Sequence, residues 1–431
     1  MLKTLRTTLK NTAIYSFGTF ASKLIGFFLL PLYTTKLSAS EYGVLGILEI
    51  SGQFLIAFFG LGLYNAFYRW YWDKKYLSRQ KSILFTLVLL SLSFSILLSL
   101  ILWFQDKNIS LLLFDTPVYA YLVKLMLFVC ILEAQNILIL TLLRLQEKAT
   151  LYTILTTTKF TIQLVATIYF MAYRGKKIEA IYMAQIIADI FFLTLIFHQL
   201  FKNIIFRFET GLLKDLLKFS LPLLLTSVLA IILTITDRYT LKFLGTLKDV
   251  GIYSLGYKLS NFLRTVIISS VNLALFPVIY KMMDAPNNKR FYSKIMTYYL
   301  FGLMFFALGL SFFGREVVKF MARRVEYWEA YTLIPVLSFA IVFSALRDVA
   351  LTGINLTKKT YILARIIAFI VIINLVLNIL TIPVWGYQGA AFSTLFSQML
   401  YFMIVYYFSP RIYPVPVSYT PLRSHETSLH L

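Results

Sequence analysis

The chain has 431 residues, of which 59% are hydrophobic and 14% charged, and its formal net charge is +22. A soluble fold of this length would interrupt its apolar stretches every few residues. Here runs of about 20 apolar residues recur, the length that crosses ~30 Å of hydrocarbon, so a soluble protein is excluded and the basic excess is read loop by loop rather than as an affinity for nucleic acid.

Twelve spans are predicted, at 12–34, 42–67, 82–104, 118–143, 151–173, 180–201, 217–243, 250–280, 295–313, 330–354, 361–383 and 387–408. No secretory cleavage site follows the first, which is read as retained. With the N-terminus inside, the cytoplasmic segments hold about 21 Lys and Arg against about 11 in the opposite loops. Both ends of the spans are therefore expected to face the cytoplasm, from a multi-pass position in the inner (cytoplasmic) membrane. The basic stretches 69–81 and 281–294 set that topology and can lie against anionic headgroups. Cys130 is the single cysteine and sits inside an apolar span, so no disulfide within the chain is expected. His198, His425 and His430 form no ligand set, and neither metal nor cofactor is expected.

The spans repeat. Tyr33, Lys36 and Gly43 in the first half are echoed by Tyr239, Lys242 and Gly251, at offsets of 206 and 208 residues. Gly175-x-x-x-x-Ala180 is echoed by Gly386-x-x-x-x-Ala391 at an offset of 211. The expected fold is thus an all-α polytopic membrane protein, about twelve transmembrane helices in two pseudo-symmetric six-helix bundles, residues 1–208 and 209–416, with a cleft between them.

Several helices carry polar stripes. In the first span Ser16, Thr19, Lys23 and Gly26 share one side, and in the second Gly46, Glu49, Gln53, Ala57, Gly60 and Tyr64 do. The seventh has Ser220, Ser227, Ala230, Thr234 and Asp237. In the eighth Ser254, Lys258, Asn261, Thr265, Ser269 and Asn272 run along one face, flanked by Arg264. For Ser, Thr and Gly alone, helix packing is the simpler reading. Lys23, Glu49 and Lys258 argue further, because a charge at the bilayer centre costs roughly 2.5–3.5 kcal/mol unless it meets water or a partner. Glu49 can serve only one lysine, whereas a wet cavity relieves all three. Substrate contacts are therefore expected at Lys23, Glu49, Gln53, Lys258, Asn261 and Arg264, and Glu49 and Asp237 are candidates for a coupling ion. Lys159, Arg347 and Asp348 are weaker candidates, each equally readable as an internal ion pair.

An enzyme is not expected. No two aspartates stand two apart, as metal-dependent sugar transferases often require, and the longest outer loops, around 105–117 and 314–328, are short for a glycan polymerase or ligase.

Ser16-Phe-Gly18…Ser22-Lys23-x-x-Gly26-Phe27 and Leu37-Ser-Ala-Ser-Glu41-Tyr42-Gly43 resemble the start of polysaccharide-biosynthesis (Wzx-type) flippases. So do Gly251-Ile-Tyr253-Ser-Leu-Gly256-Tyr257-Lys258-Leu259 with Phe276-Pro277, and Pro383-x-x-Gly386-x-x-Gly389-Ala390-Ala391. The resemblance runs from about residue 10 to 416. It implies the multidrug/oligosaccharidyl-lipid/polysaccharide exporter superfamily, with its MATE-like fold, and a flippase for an isoprenoid-diphosphate-linked oligosaccharide used in surface polysaccharide. Cavity arginines on the first and eighth helices of the related lipid II flippase would correspond to Lys23 and Lys258. Lysine keeps the charge there but gives up bidentate clamping of phosphate. The implied partners are that lipid-linked glycan, membrane lipids, glycosyltransferases and a glycan polymerase, around a monomer without nucleic acid. A cation-coupled drug antiporter of the same fold stays open as the alternative and would need a cavity dominated by carboxylates.

After Pro416 the chain changes character. Val417–Thr427, VSYTPLRSHET, resembles a translated sequencing-adapter frame, so residues 417–431 are expected to be non-native. Fourteen-span relatives then imply two further helices beyond the twelfth.

Overall fold

The computed structural model describes residues 26–268, 288–356 and 360–412, and among these there is no strand. The helices are α1 (Leu30–Lys36), α2 (Ala39–Phe59), α3 (Leu63–Trp70), α4 (Gln80–Trp103), α5 (Asp106–Phe114), α6 (Ala120–Leu145) and α7 (Ala149–Ile168). They continue as α8 (Ile178–Lys202), α9 (Thr210–Leu244), α10 (Leu247–Ser260), α11 (Asn288–Phe312), α12 (Gly314–Met321), α13 (Leu333–Leu356) and α14 (Thr360–Ile412). Eight of the described helices are long and apolar enough to cross a membrane, nine when the bent pair α11–α12 is taken as one.

α14 is in fact two arms. Gly386 has φ 56° and ψ −136°, outside helical space, and Thr381 hydrogen-bonds Ser393 across 2.9 Å. Twelve residues of straight helix would hold those two about 18 Å apart, so the chain reverses at Gly386. Gly175, its partner in the sequence repeat, also has positive φ, 63°, at the turn into α8. Ala180 and Ala391 follow these glycines and are fully buried.

α2, α4, α6, α7 and α8 pack as one bundle, and α9, α10, α11, α13 and α14 as the other; α2 against α10 is the main seam between them. Both seam helices start on a capping box, Ser38 with Glu41 in α2 and Thr246 with Asp249 in α10. The repeat glycines lie where they cross. A Cβ on Gly43 would stand 2.0 Å from the Leu247 carbonyl oxygen, and one on Gly251 would stand 1.9 Å from that of Ala39. Ala39 and Leu247 are themselves repeat equivalents, so the seam reads the same from either side.

More contacts between the halves close this end of the molecule. Thr34 donates to the Met321 carbonyl at 2.8 Å, Tyr327 to that of Leu37 at 3.0 Å and Arg324 to that of Thr35 at 3.1 Å. Lys242 reaches the Leu112 carbonyl and Asp115, each at 3.0 Å. The largest apolar cluster lies beneath them, drawing Tyr33, Leu37 and Tyr42 from the first half and Tyr253, Tyr327 and Leu333 from the second. Outward, Leu97, Leu100, Phe301, Phe305, Ile372 and Leu380 are exposed. That is the surface acyl chains would cover, since a spanning helix needs no polar partner outside its own backbone.

Three spans depart from the simple reading. The second is broken, because Leu61 and Gly62 take left-handed conformations between α2 and α3. The eighth passes from α-helix into a π-helical stretch at Leu263–Ile268. The ninth bends by 64° between α11 and α12.

Candidate functional site

Two cavities lie along the seam. The first, about 270 Å³, is lined by residues of the first half, among them Tyr33, Gln53, Gln163 and Gln185, together with Lys258 from the second. The other, about 510 Å³, sits in the second half and is lined by Arg238, Tyr257, Asn261, Arg264, Arg347 and Gln398 among others. Glu49 and Gln53 line both.

Lys258 projects from α10 across the seam. Its Nζ is 3.3 Å from Glu49 Oε1, and the rings of Tyr33 and Tyr42 lie 5.8 and 6.0 Å from it. The pair is not sealed, since the Lys258 side chain is 31% exposed and that of Glu49 41%. Glu49 thus serves one lysine, and that lysine still faces the first cavity.

The larger cavity is arginine-rich. Arg264 binds Ser344 and lies 3.4 Å from Asp348. Arg347 holds Asp348 at 2.7 Å and Gln398 at 2.8 Å, with its guanidinium 4.5 Å from the Tyr401 ring centroid. Asp348 therefore stands behind the arginines and is not itself in the lining. Arg238 donates to Ser254 at 3.0 Å and stacks 4.8 Å over Tyr257, and no carboxylate within ion-pair distance of it is found among the described residues. Across the two cavities four cations meet one lining carboxylate, Glu49; two further carboxylates, Asp348 and Asp237, stand behind the lining.

Asp237 is placed differently from its neighbours on the seventh-span stripe. It is buried behind the larger cavity and accepts from Tyr253 and Thr394 at 2.6 Å, Asn378 at 2.9 Å and Asn374 at 3.3 Å. These donors come from α10 and both arms of α14, so the hairpin at Gly386 assembles this nest. Lys159, expected as a weaker cavity residue, is not in either lining: Glu133 and Asp189, at 2.7 and 2.6 Å, hold it between α6 and α8. Two carboxylates attract it more strongly than a wet opening does. Lys23 and the tail 417–431 lie outside the described residues.

Arg238 escaped the sequence reading. It is four residues beyond Thr234 on the seventh-span stripe, and a deep arginine obeys the same burial argument as Lys258. Adjacent Asp237 does not pair with it, because neighbours in a helix point about 100° apart.

The family described as polysaccharide biosynthesis protein matches residues 36–324. No curated protein matches the chain in sequence. Among solved structures, the lipid II flippase MurJ in its inward closed conformation is similar with a TM-score of 0.70 at 14% identity, over 92% of this chain and 87% of that one. The outward-facing conformation of a multidrug resistance MATE family transporter of the MOP superfamily has a TM-score of 0.67 at 14% identity, over 94% and 96%. The Vibrio cholerae MATE transporter VcmN has 0.62 at 14%, over 95% and 98%. At that identity the likeness is one of fold.

Proposed function

The chain belongs to the polysaccharide biosynthesis protein family, and from that membership, its transporter fold and its cationic seam we propose that it flips an isoprenoid-diphosphate-linked oligosaccharide across the cytoplasmic membrane. The observation that carries this reading is the excess of cations in the cavity linings, four against the single carboxylate Glu49. A diphosphate brings about two negative charges and cannot shed its water into bare lipid; fixed cations replace that hydration. Lys258, Arg238, Arg264 and Arg347 are its contacts, with Lys23 on the first span as a further one. Arginine adds the planar fork that lysine lacks, so the bidentate hold on phosphate falls to the second half. Gln53, Asn261 and Gln398 offer donors and acceptors to the sugar, and the isoprenoid stays in the bilayer.

Transport follows alternating access, the two bundles rocking about the seam. With the N-terminus cytoplasmic, the closed end faces outward and the cavities await substrate from inside. Moving two negative charges outward gains ~4–5 kcal/mol at 100 mV, inside negative. Glu49 and Asp237 are the groups to which a coupling proton or sodium ion would bind. The protein works as a monomer and receives its cargo from glycosyltransferases, with a polymerase beyond. The rival reading, a drug antiporter, wants an acidic cavity, and the sign here opposes it.

The test replaces Lys258 or Arg238 by Ala and follows lipid-linked glycan reaching the outer leaflet. Export should fall at least tenfold at unchanged protein level. Wild-type export by both variants would refute the cavity assignment, and restored export of a cationic drug would favour the rival.

A further inference from the structure

Inside the first bundle, away from the seam, three ionisable side chains meet from three helices. Lys159 of α7 lies between Glu133 of α6 and Asp189 of α8. Fully ionised, the trio carries one net negative charge, and its setting is apolar: the Phe160 and Phe192 rings lie 5.8 and 5.9 Å from Nζ. Intramembrane carboxylates with one cation between two are not a closed ion pair.

A second observation shows where the imbalance falls. Asp189 and Asn136 are both fully buried. The Asn136 amide donates to Asp189 Oδ1 at 3.0 Å, which also faces Lys159. That leaves Asp189 Oδ2 and Asn136 Oδ1, and neither has a hydrogen-bond partner among the described residues. Two orphan acceptors on side chains already bonded to each other lack one hydrogen. A proton on Oδ2 would turn an unsatisfied acceptor into a donor, with the Asn136 carbonyl as the acceptor offered to it.

We propose that Glu133 and Asp189 share one exchangeable proton, a binding site of the first bundle separate from the substrate cavities and from Asp237. Gln185 connects it to water: its amide donates to Glu133 at 3.1 Å while its side chain lines the smaller cavity. A hydronium ion there gives up its proton, an O–H bond forms on a carboxyl, and the trio becomes neutral; release reverses each step. Among the described residues the ion pairs of the trio are all internal to it. Cys130, one turn from Glu133, bonds the Gly52 carbonyl; Tyr152 takes a bond from Arg144; Tyr182 lies two turns from Asp189 in the cavity wall.

Infrared spectroscopy of the purified full chain in lipid reads the site directly, through the stretch of a protonated carboxyl group. Wild type should show such a band at neutral pH. Glu133→Gln and Asp189→Asn should each remove the same component of it, because either replacement leaves one carboxylate for one lysine and no need of a proton. That component is read as a difference from wild type, which any proton on Glu49 or Asp237 leaves untouched. Both replacements keep side-chain size, and a thermal midpoint verifies their folding. The proposal is overturned by absence of the band in wild type at every pH where the protein stays folded, by survival of that component in Asp189→Asn, or by its retention in Glu133→Gln, which would deny sharing. The measurement needs no glycan, so it fails or succeeds independently of the proposed function.

Discussion

Alanine at Gly43 and Gly251 is the sharpest probe of the seam. Each new Cβ would face a backbone carbonyl oxygen, at 2.0 and 1.9 Å, where real Cβ atoms keep beyond 3.0 Å. No side-chain rotation relieves a clash with backbone, so α2 and α10 must part by at least about 1 Å at their crossing. Overpacking of this kind costs about 1–3 kcal/mol per site. If the open state escapes that cost, even ~2 kcal/mol moves the closed-to-open ratio roughly thirtyfold. Spin labels at Ser40 and Lys248, exposed residues in the first turns of the two helices, would report it in a background where Cys130 is alanine. The native seam should give one short distance, and Gly43→Ala should add a longer population that Gly251→Ala enlarges. An unchanged distribution in the double variant would refute the seam as the closure point.

Four further outcomes are expected. Gly386→Ala should lower stability by about 1–3 kcal/mol, because φ 56° with ψ −136° suits glycine alone; an unchanged thermal midpoint would argue against the hairpin. Asp115→Asn should cost under ~1 kcal/mol, since that carboxylate is 81% exposed in its pair with Lys242, whereas Lys242→Ala also loses the Leu112 carbonyl and should widen the same spin-label distance. Asp106, at the start of α5, is held below the usual carboxylate range by its hydrogen bond from Lys124. A carboxyl lowered on folding stabilises above its unfolded value of about 3.9 and loses that contribution as pH falls through the folded value; Lys124→Ala should therefore flatten the acid limb of thermal midpoint against pH. Arg347→Lys should reduce export more than charge alone explains, because lysine cannot hold Asp348 and Gln398 together; equal export would show that the fork is dispensable.

The spans were legible because hydrocarbon thickness imposes a length that local sequence cannot hide. The repeat was legible too, since Gly43 with Gly251, and Gly175 with Gly386, are demanded by backbone geometry that no other residue meets as well. Glu49 and Lys258 could be foreseen as deep charges on facing stripes. Their contact across the seam depends on helix rotation, which periodicity leaves open by tens of degrees. The same limit concealed the meeting of Lys159, Glu133 and Asp189: Lys159 was readable as half of an internal ion pair, but its two partners stand 26 and 30 residues away along the chain. The nest around Asp237 was hidden more deeply, for Asn374, Asn378 and Thr394 converge only after the chain reverses at Gly386. No pattern within one helix announces a convergence between helices.

The crossing of α2 and α10 has one more implication. Gly43 approaches the Gly251 amide nitrogen as Gly251 approaches that of Gly43, at 3.2 and 3.1 Å for their hypothetical Cβ atoms, so both contacts belong to a single pivot. Neither leaf can lift while the other stays seated. Opening at that rim is a concerted event, felt at both copies of the motif together.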